Sequence, residues 1–132
     1  MDYGPLVSEE IAAGEDLIRE VDKILPIATA FWLRASDEGQ RFLYLASDEL
    51  TDENAREMAA KKFRLVNGLR SPDLDPFRVR LIRSNDPRAR AALELVERFP
   101  SLMPTRLGGS LFGGSMIDDL YLYATPRHQA AS

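Results

Sequence analysis

Apolar and polar positions along the chain repeat with two periods, one typical of helices and the other of strands. The helical period predicts three helices with capping residues at their starts. The first helix is predicted from Glu9 to Ile24, with Ser8 as its capping residue, and the second begins after Thr51. The third begins at Pro87, after the capping residue Asp86, and ends at Pro100. Gly14 is an unfavourable residue inside the first of these helices.

Period-two alternation predicts strands, two pairs of which are joined as hairpins. The strands are Ile27 to Ala35, Arg41 to Ser47, Phe77 to Ser84, Thr105 to Leu111 and Ile117 to Thr125. The order α-β-β-α-β-α-β-β predicts a single α+β domain, with a mixed or antiparallel sheet of about five strands and three helices. Residues 1–7 and 126–132 are predicted to be flexible, as chain ends usually are.

Alternation within the strands sorts their side chains into two faces. A core face is assigned Phe31, Leu33, Leu43, Leu45, Phe77, Val79, Leu81, Leu120 and Leu122. The opposite face, here called the Trp/Tyr/Arg face, is assigned Trp32, Arg34, Phe42, Tyr44, Arg78, Arg80, Tyr121 and Tyr123. On the second helix the predicted buried stripe is Ala55, Ala59, Phe63, Val66 and Leu69.

Composition fits an ordinary globular domain: 132 residues, 45% of them hydrophobic and 29% charged. Its net charge of −4 is unevenly distributed. Residues 1–60 hold fourteen acidic and five basic side chains, whereas residues 61–90 hold three acidic and nine basic. We expect these two regions to neutralise each other within the fold. The alternative is a basic patch that meets an anionic partner.

Few residues offer recognisable chemistry. Cysteine is absent and the single histidine, His128, lies in the predicted tail, so no transition-metal site or cofactor is expected. Ser110 and Ser115 follow glycine pairs, but these lack the helix and lysine of a phosphate-binding loop, which favours ordinary hairpin geometry. No set of residues supplies a nucleophile, a base and an oxyanion site together, so no catalytic residue is assigned, and a small enzyme with a site not recognisable from sequence ranks third among the possible functions.

Several short motifs resemble a family of small bacterial proteins that has no assigned activity. They are Ala30-Phe31-Trp32-Leu33, Leu43-Tyr44-Leu45-Ala46-Ser47, Ser84-Asn85-Asp86-Pro87 and Ile117-Asp118-Asp119-Leu120-Tyr121-Leu122-Tyr123. The resemblance implies the order helix, hairpin, helix, strand, helix and hairpin over residues 9–125. It supports the fold and implies no function.

Three interpretations of the Trp/Tyr/Arg face follow. The leading one is a non-enzymatic interaction module that forms a homodimer through this face or through a sheet edge, because Tyr, Trp and Arg favour protein contacts. The second is a nucleic-acid platform on which aromatic rings stack bases and arginines contact phosphates. The third is structural, with arginines lying over aromatic rings beneath a helix.

No apolar run is long enough for a membrane span, and the first residues lack the pattern of a signal peptide, so a cytoplasmic location is expected.

Overall fold

A computed structural model describes residues 6–124, and the predicted α+β fold is confirmed. The three helices are α1 (Ser8–Asp22), α2 (Ala55–Leu69) and α3 (Pro87–Arg98). The six strands are β1 (Thr29–Ala35), β2 (Arg41–Ser47), β3 (Val79–Arg83), β4 (Thr105–Leu107), β5 (Ser110–Phe112) and β6 (Ser115–Leu122). Short 3₁₀ turns at Pro76–Arg78 and Pro100–Leu102 precede β3 and β4. His128 and most of the two predicted flexible ends lie outside the described residues, and Leu6 is already buried in the core.

The strands form one mixed sheet in the order β3-β2-β1-β6-β4, with β5 pairing to β6 as well. Only β2 and β3 run parallel, because α2 carries the chain across between them. The remaining pairs are antiparallel, including the β1–β2 hairpin across residues 36–40.

The last hairpin differs from its prediction in one respect. Its first arm is two short strands, β4 and β5, separated by Gly108 and Gly109, and both pair with β6. The sheet therefore has six strands instead of five. Gly113 and Gly114 form the tight turn between β5 and β6 with φ values of 59° and 85°. Positive φ at both central residues is what a type I′ hairpin turn requires.

Helices cover both faces of the sheet. On one face α1 packs with Leu17, Ile18 and Val21 over a core that also receives Val66 of α2. On the other face α3 packs Val96 among the side chains of β1, β2 and β6. Asp86 caps α3 by accepting a hydrogen bond from the Arg88 N–H at 2.9 Å, as predicted. At α1 the N-cap residue is Val7, one position earlier than predicted.

Candidate functional site

The predicted Trp/Tyr/Arg face is not one surface, because β2 and β3 each turn the opposite set of side chains toward the face of Trp32 from the set that was predicted. Across β1 and β2, Phe31 lies opposite Tyr44 and Trp32 lies opposite Leu43. Opposed residues in neighbouring strands share a face. Tyr44 and its neighbour in the parallel pair, Arg80, therefore lie on the α3 face, away from Trp32. Two sets of assignments were therefore wrong: Phe42, Tyr44 and Arg80 do not share the face of Trp32, and four residues do not share the face of Phe31, namely Leu43, Leu45, Val79 and Leu81.

Trp32 and Tyr123 form a buried pair beneath α1. The Trp32 Nε1–H donates to Tyr123 Oη at 2.8 Å, and that hydroxyl donates to the Ile11 carbonyl of α1 at 2.7 Å. Burial raises the pKa of Tyr123 well above its ordinary value. These hydrogen bonds attach α1 to the sheet. Both side chains are at most 4% exposed, so neither can contact a partner.

Gly14 is needed where α1 crosses this pair. A Cβ at this position would collide with Tyr123 Oη and lie 3.1 Å from Trp32 Nε1. The glycine that weakens the sequence-based prediction of a helix is therefore the residue that lets α1 approach the sheet closely.

Two arginines converge on Tyr44 at the α3 face. Its hydroxyl accepts hydrogen bonds from Arg80 Nη1 at 2.7 Å and Arg88 Nη1 at 2.9 Å, and the side chain is fully buried. The Arg80 guanidinium also lies 3.6 Å above the centroid of the Phe42 ring. Hydrogen bonds from Arg88 to Asp86 hold the pKa of that carboxyl below its usual value. This cluster matches the structural interpretation, with arginines packed on rings inside the fold.

The other predicted site residues lie apart from this cluster. Arg34 Nε is 3.8 Å from Asp118 Oδ2, and Arg78 Nε is 3.9 Å from Asp75 Oδ2. Tyr121 is half-buried, with its ring centroid 5.0 Å from that of Tyr123, and burial raises the pKa of its phenol. The structure therefore does not bring the eight residues assigned to the Trp/Tyr/Arg face together as one binding surface.

The uneven charge along the sequence is partly compensated inside the fold, as expected. Ion pairs link the basic segment to the acidic one, with Arg80 near Glu38 at 3.2 Å and Arg83 paired with Asp52. Lys61 lies 3.2 Å from Glu57 on α2. These pairs reduce the positive charge that the segment 61–90 presents to a polyanion.

The largest departure from the sequence analysis is on α2. Ala55, Ala59 and Phe63, predicted to be buried, are exposed at i, i+4 and i+8 along the helix. Phe77 was assigned to the core, yet its side chain is 76% exposed. Its ring packs edge-on against that of Phe63, with centroids 5.3 Å apart. These four residues are named the α2 stripe.

The helical period alone could not separate this stripe from the buried side of α2. Val66 is fully buried and Leu69 half-buried, as predicted, but the other core contacts come from Met58 and Leu65. One signal was present in the sequence. Asp75 followed by Pro76 is a capping residue and a proline that start a turn, and the Asp75 side chain accepts a hydrogen bond from the Phe77 N–H at 2.9 Å, so Phe77 lies in a 3₁₀ turn and not in the strand.

A cavity of about 330 Å³ opens where the first turn of α1, the strands β1 and β2 and the loop before β3 meet. Its lining is Glu10, Trp32, Arg41, Pro72, Asp73, Asp75 and Arg78. Two of these, Trp32 and Arg78, were singled out from the sequence for a binding role. Among residues 6–124, no group of histidine and carboxylate side chains is arranged to hold a metal ion.

Comparison with protein-family models, curated proteins and solved structures finds no match. Within the described part of the chain, no helix has the length and apolar content to cross a bilayer. The resemblance drawn from the short motifs stays a prediction.

Proposed function

We propose that this chain is a non-enzymatic interaction module that pairs with a second copy of itself through the α2 stripe. The observation that carries the proposal is the exposure of Ala55, Ala59, Phe63 and Phe77. Aromatic residues are favoured at protein contacts, and the small side chains of Ala59 and Ala55, one and two turns before Phe63, allow a second helix to approach α2 closely. Exposed apolar residues that lie together usually mark an interaction site.

The charge around the stripe favours a second copy as the partner. Residues 48–57 hold five acidic side chains and one basic, whereas residues 61–70 hold four basic and none acidic. Two α2 helices that cross antiparallel near Ala59 place the acidic end of each beside the basic end of the other. Their helix dipoles are then antiparallel as well. One patch that complements itself about a twofold axis is the commonest design of a homodimer.

The same observations disfavour the nucleic-acid alternative. Stacking of bases needs open rings, and Trp32, Tyr44 and Tyr123 are buried. The two arginines expected to contact phosphates already have partners: Arg80 bonds Tyr44 and lies 3.2 Å from Glu38, and Arg78 Nε lies 3.9 Å from Asp75 Oδ2. Phe63 and Phe77 remain accessible to bases, but the net charge of −4 repels a polyanion at long range.

Light scattering at micromolar concentration tests the proposal. The wild-type chain of 14.8 kDa is expected to have the mass of a dimer. The variants Phe63→Asp and Ala59→Glu are expected to be monomers, because each places a charge in the apolar contact. Leu111→Asp is the matched control, since Leu111 on β5 is 71% exposed but lies outside the stripe.

Two results contradict the proposal. A monomer mass for the wild-type chain throughout the micromolar range would show that the chain does not self-associate there. If the dimer persists in both α2 variants but dissociates in Leu111→Asp, the contact lies at the outer edge of the sheet, where β4 and β5 lie.

A further inference from the structure

Strand β3 forms one edge of the sheet, and the backbone groups of its alternate residues point to the open side. Its only neighbouring strand among residues 6–124 is β2, to which it is parallel. The Ser84 N–H, just after β3, bonds the Ser47 carbonyl of β2 at 3.3 Å. Alternate residues of a strand bond the same neighbour, so the groups of Val79, Leu81 and Arg83 point away from β2.

Most of these outward groups are available. The Arg83 carbonyl accepts a hydrogen bond from the Asp86 N–H at 3.0 Å, which closes the turn into α3. Within the described part of the chain, the three outward N–H groups and the carbonyls of Val79 and Leu81 bond no other element. A row of open N–H and C=O groups is a template for pairing with another strand.

The two arginines of β3 do not obstruct this open side. The Arg80 side chain turns back over β2, where its guanidinium lies 3.6 Å from the Phe42 ring centroid and donates to the Tyr44 hydroxyl at 2.7 Å. Arg83 is paired with Asp52, which lies in the segment after β2. Charged side chains protect many edge strands from pairing, but these two are engaged within their own chain.

Strand β3 is better suited to pairing than the opposite edge of the sheet. There β4 and β5 have three residues each and are separated by Gly108 and Gly109, whereas β3 has five continuous residues. Leu81 and Ile82 are half-buried and belong to the clusters on opposite faces. A further strand beside β3 therefore covers apolar surface on both faces of the sheet.

We propose that β3 pairs antiparallel with β3 of a second copy, with a twofold axis beside Leu81, so that the two sheets become one continuous sheet. This inference rests on the pairing proposed above for the α2 stripe, to which it adds a second contact and a register. Antiparallel strands bond through the residues whose backbone groups point toward each other. Val79 of each copy then lies opposite Arg83 of the other, and Leu81 lies opposite Leu81.

This register uses the whole strand without opposing like charges. It places Arg80 of each copy opposite Ile82 of the other. An axis at Arg80 would set two arginines directly opposite each other, which is unfavourable. An axis at Ile82 would leave Val79, the first residue of β3, with no partner in the second strand.

The same axis brings the two α2 helices together. It stands perpendicular to the sheet, so both helices lie on one face and run antiparallel to each other. Val66 of α2 packs in the cluster that includes Leu45 of β2 and Leu81 of β3. Strands lie about 4.8 Å apart and packed helices about 8–10 Å apart, so helices that each lie over two outer strands meet across the axis. The α2 stripe adjoins this edge, because Phe77, in the turn before β3, contacts Phe63.

Amide hydrogen exchange tests this pairing. In the wild-type chain at high micromolar concentration, the N–H groups of Leu81 and Arg83 are expected to exchange at least about tenfold more slowly than in Phe63→Asp, because pairing protects them. The N–H groups of Arg80 and Ile82 are the matched control. They bond β2 with or without a second copy, so they are expected to be protected in both chains.

An intermolecular nuclear Overhauser effect tests the register. In a mixture of isotope-labelled and unlabelled wild-type chains, a contact is expected between Arg80 Hα of one copy and Ile82 Hα of the other. The reason is that the Cα atoms of such a non-hydrogen-bonded pair are only about 4.5 Å apart. This measurement uses the wild-type chain alone, so it decides the matter even if Phe63→Asp does not fold.

The possible failures are distinguishable. A wild-type dimer in which Leu81 and Arg83 exchange as fast as in Phe63→Asp would overturn the β3 pairing and leave the α2 contact standing. If the dimer and the slow exchange persist in both α2 variants, the β3 pairing is correct and the α2 contact is wrong. A monomeric wild-type chain with fast exchange at both residues contradicts both proposals. A contact between the two copies of Arg80, or between those of Ile82, would contradict the register.

Discussion

Helices α1 and α2 each have fifteen residues and cover the same face of the sheet, yet they pack against it very differently. Five residues of α1 are buried, including Leu17, Ile18 and Val21, whereas α2 buries only Val66. The Tyr123 hydroxyl bonds the backbone of α1, and Gly14 allows the close approach. Both helices have an apolar side, but α2 leaves part of it exposed. Helix α1 therefore builds the core, whereas the exposed side of α2 is the surface that we propose pairs with a second copy.

The contrast predicts unequal effects when each helix loses a large apolar side chain. Leu17→Ala is expected to lower the free energy of unfolding by about 2–5 kcal/mol, because it leaves a cavity in the core. Phe63→Ala is expected to cost under about 1 kcal/mol in the monomer, since its ring is 37% exposed. Urea unfolding at several protein concentrations measures both.

Concentration dependence sharpens this test, because pairing stabilises the folded chain by mass action. The deficit of Phe63→Ala is expected to grow with protein concentration, whereas that of Leu17→Ala stays nearly constant. Equal losses from the two substitutions in dilute solution would contradict the distinction between the helices.

The two helical glycines, Gly14 in the middle of α1 and Gly68 in the last turn of α2, are expected to respond in opposite directions to alanine. Gly14→Ala should destabilise the chain by about 1–3 kcal/mol, because the new Cβ overlaps Tyr123 Oη in a packed core. Gly68→Ala should stabilise it by up to about 1 kcal/mol, since no atom outside its own helix backbone lies within 4 Å of the added carbon. Thermal unfolding of both variants provides the measurement.

A double variant checks the cause at Gly14. Tyr123→Phe removes the oxygen that the new methyl group meets, so Gly14→Ala is expected to cost less in that background. A loss that is unchanged by Tyr123→Phe would mean that the phenol oxygen does not set the distance between α1 and the sheet.

Alkaline pH is expected to loosen α1 through Tyr123. Burial raises the pKa of Tyr123 in the folded chain, whereas an unfolded tyrosine ionises near pH 10.0. The folded chain therefore keeps this proton longer, and the stabilisation is complete below pH 10. It declines as the pH rises further, by at most about 1.4 kcal/mol per pH unit. Chemical unfolding at pH 9 and 11 measures the loss of unfolding free energy, which should be smaller in Tyr123→Phe. A loss of the same size in that variant would mean that other groups cause it.

The sequence predicted most of the secondary structure because its local signals are strong. The bounds of β2 were correct, and α3 begins at Pro87 behind the capping Asp86. The face of β2 was not predictable from alternation, because Phe42, Leu43, Tyr44 and Leu45 form a continuous apolar run that suits either face. The face of each β2 side chain is set by the pairing of β2 with β1, and the sequence of a single strand does not show that pairing.

The candidate sites were less predictable, because they depend on which surfaces meet. Trp32 was singled out for a binding role, but its indole anchors α1 and lines a cavity that also takes residues from β2 and the loop before β3. Arg41 and Asp73 are far apart in sequence, and no pattern in the sequence indicated that they line the same cavity. On α2, an apolar residue facing the core and one facing outward have the same spacing, so Phe63 could be placed only by the structure.

A single cysteine at Ala59 tests the central claim most directly, because the chain contains no other cysteine. If two α2 helices cross near Ala59, the two thiols lie close enough for a disulfide, which needs Cα atoms under about 7 Å apart. Under mild oxidation at micromolar concentration, Ala59→Cys is expected to form a covalent dimer on a non-reducing gel. Leu111→Cys, on the outer edge of the sheet, is expected to stay mostly monomeric. Cross-linking of Ala59→Cys that is no faster than that of Leu111→Cys would contradict the pairing of α2 helices.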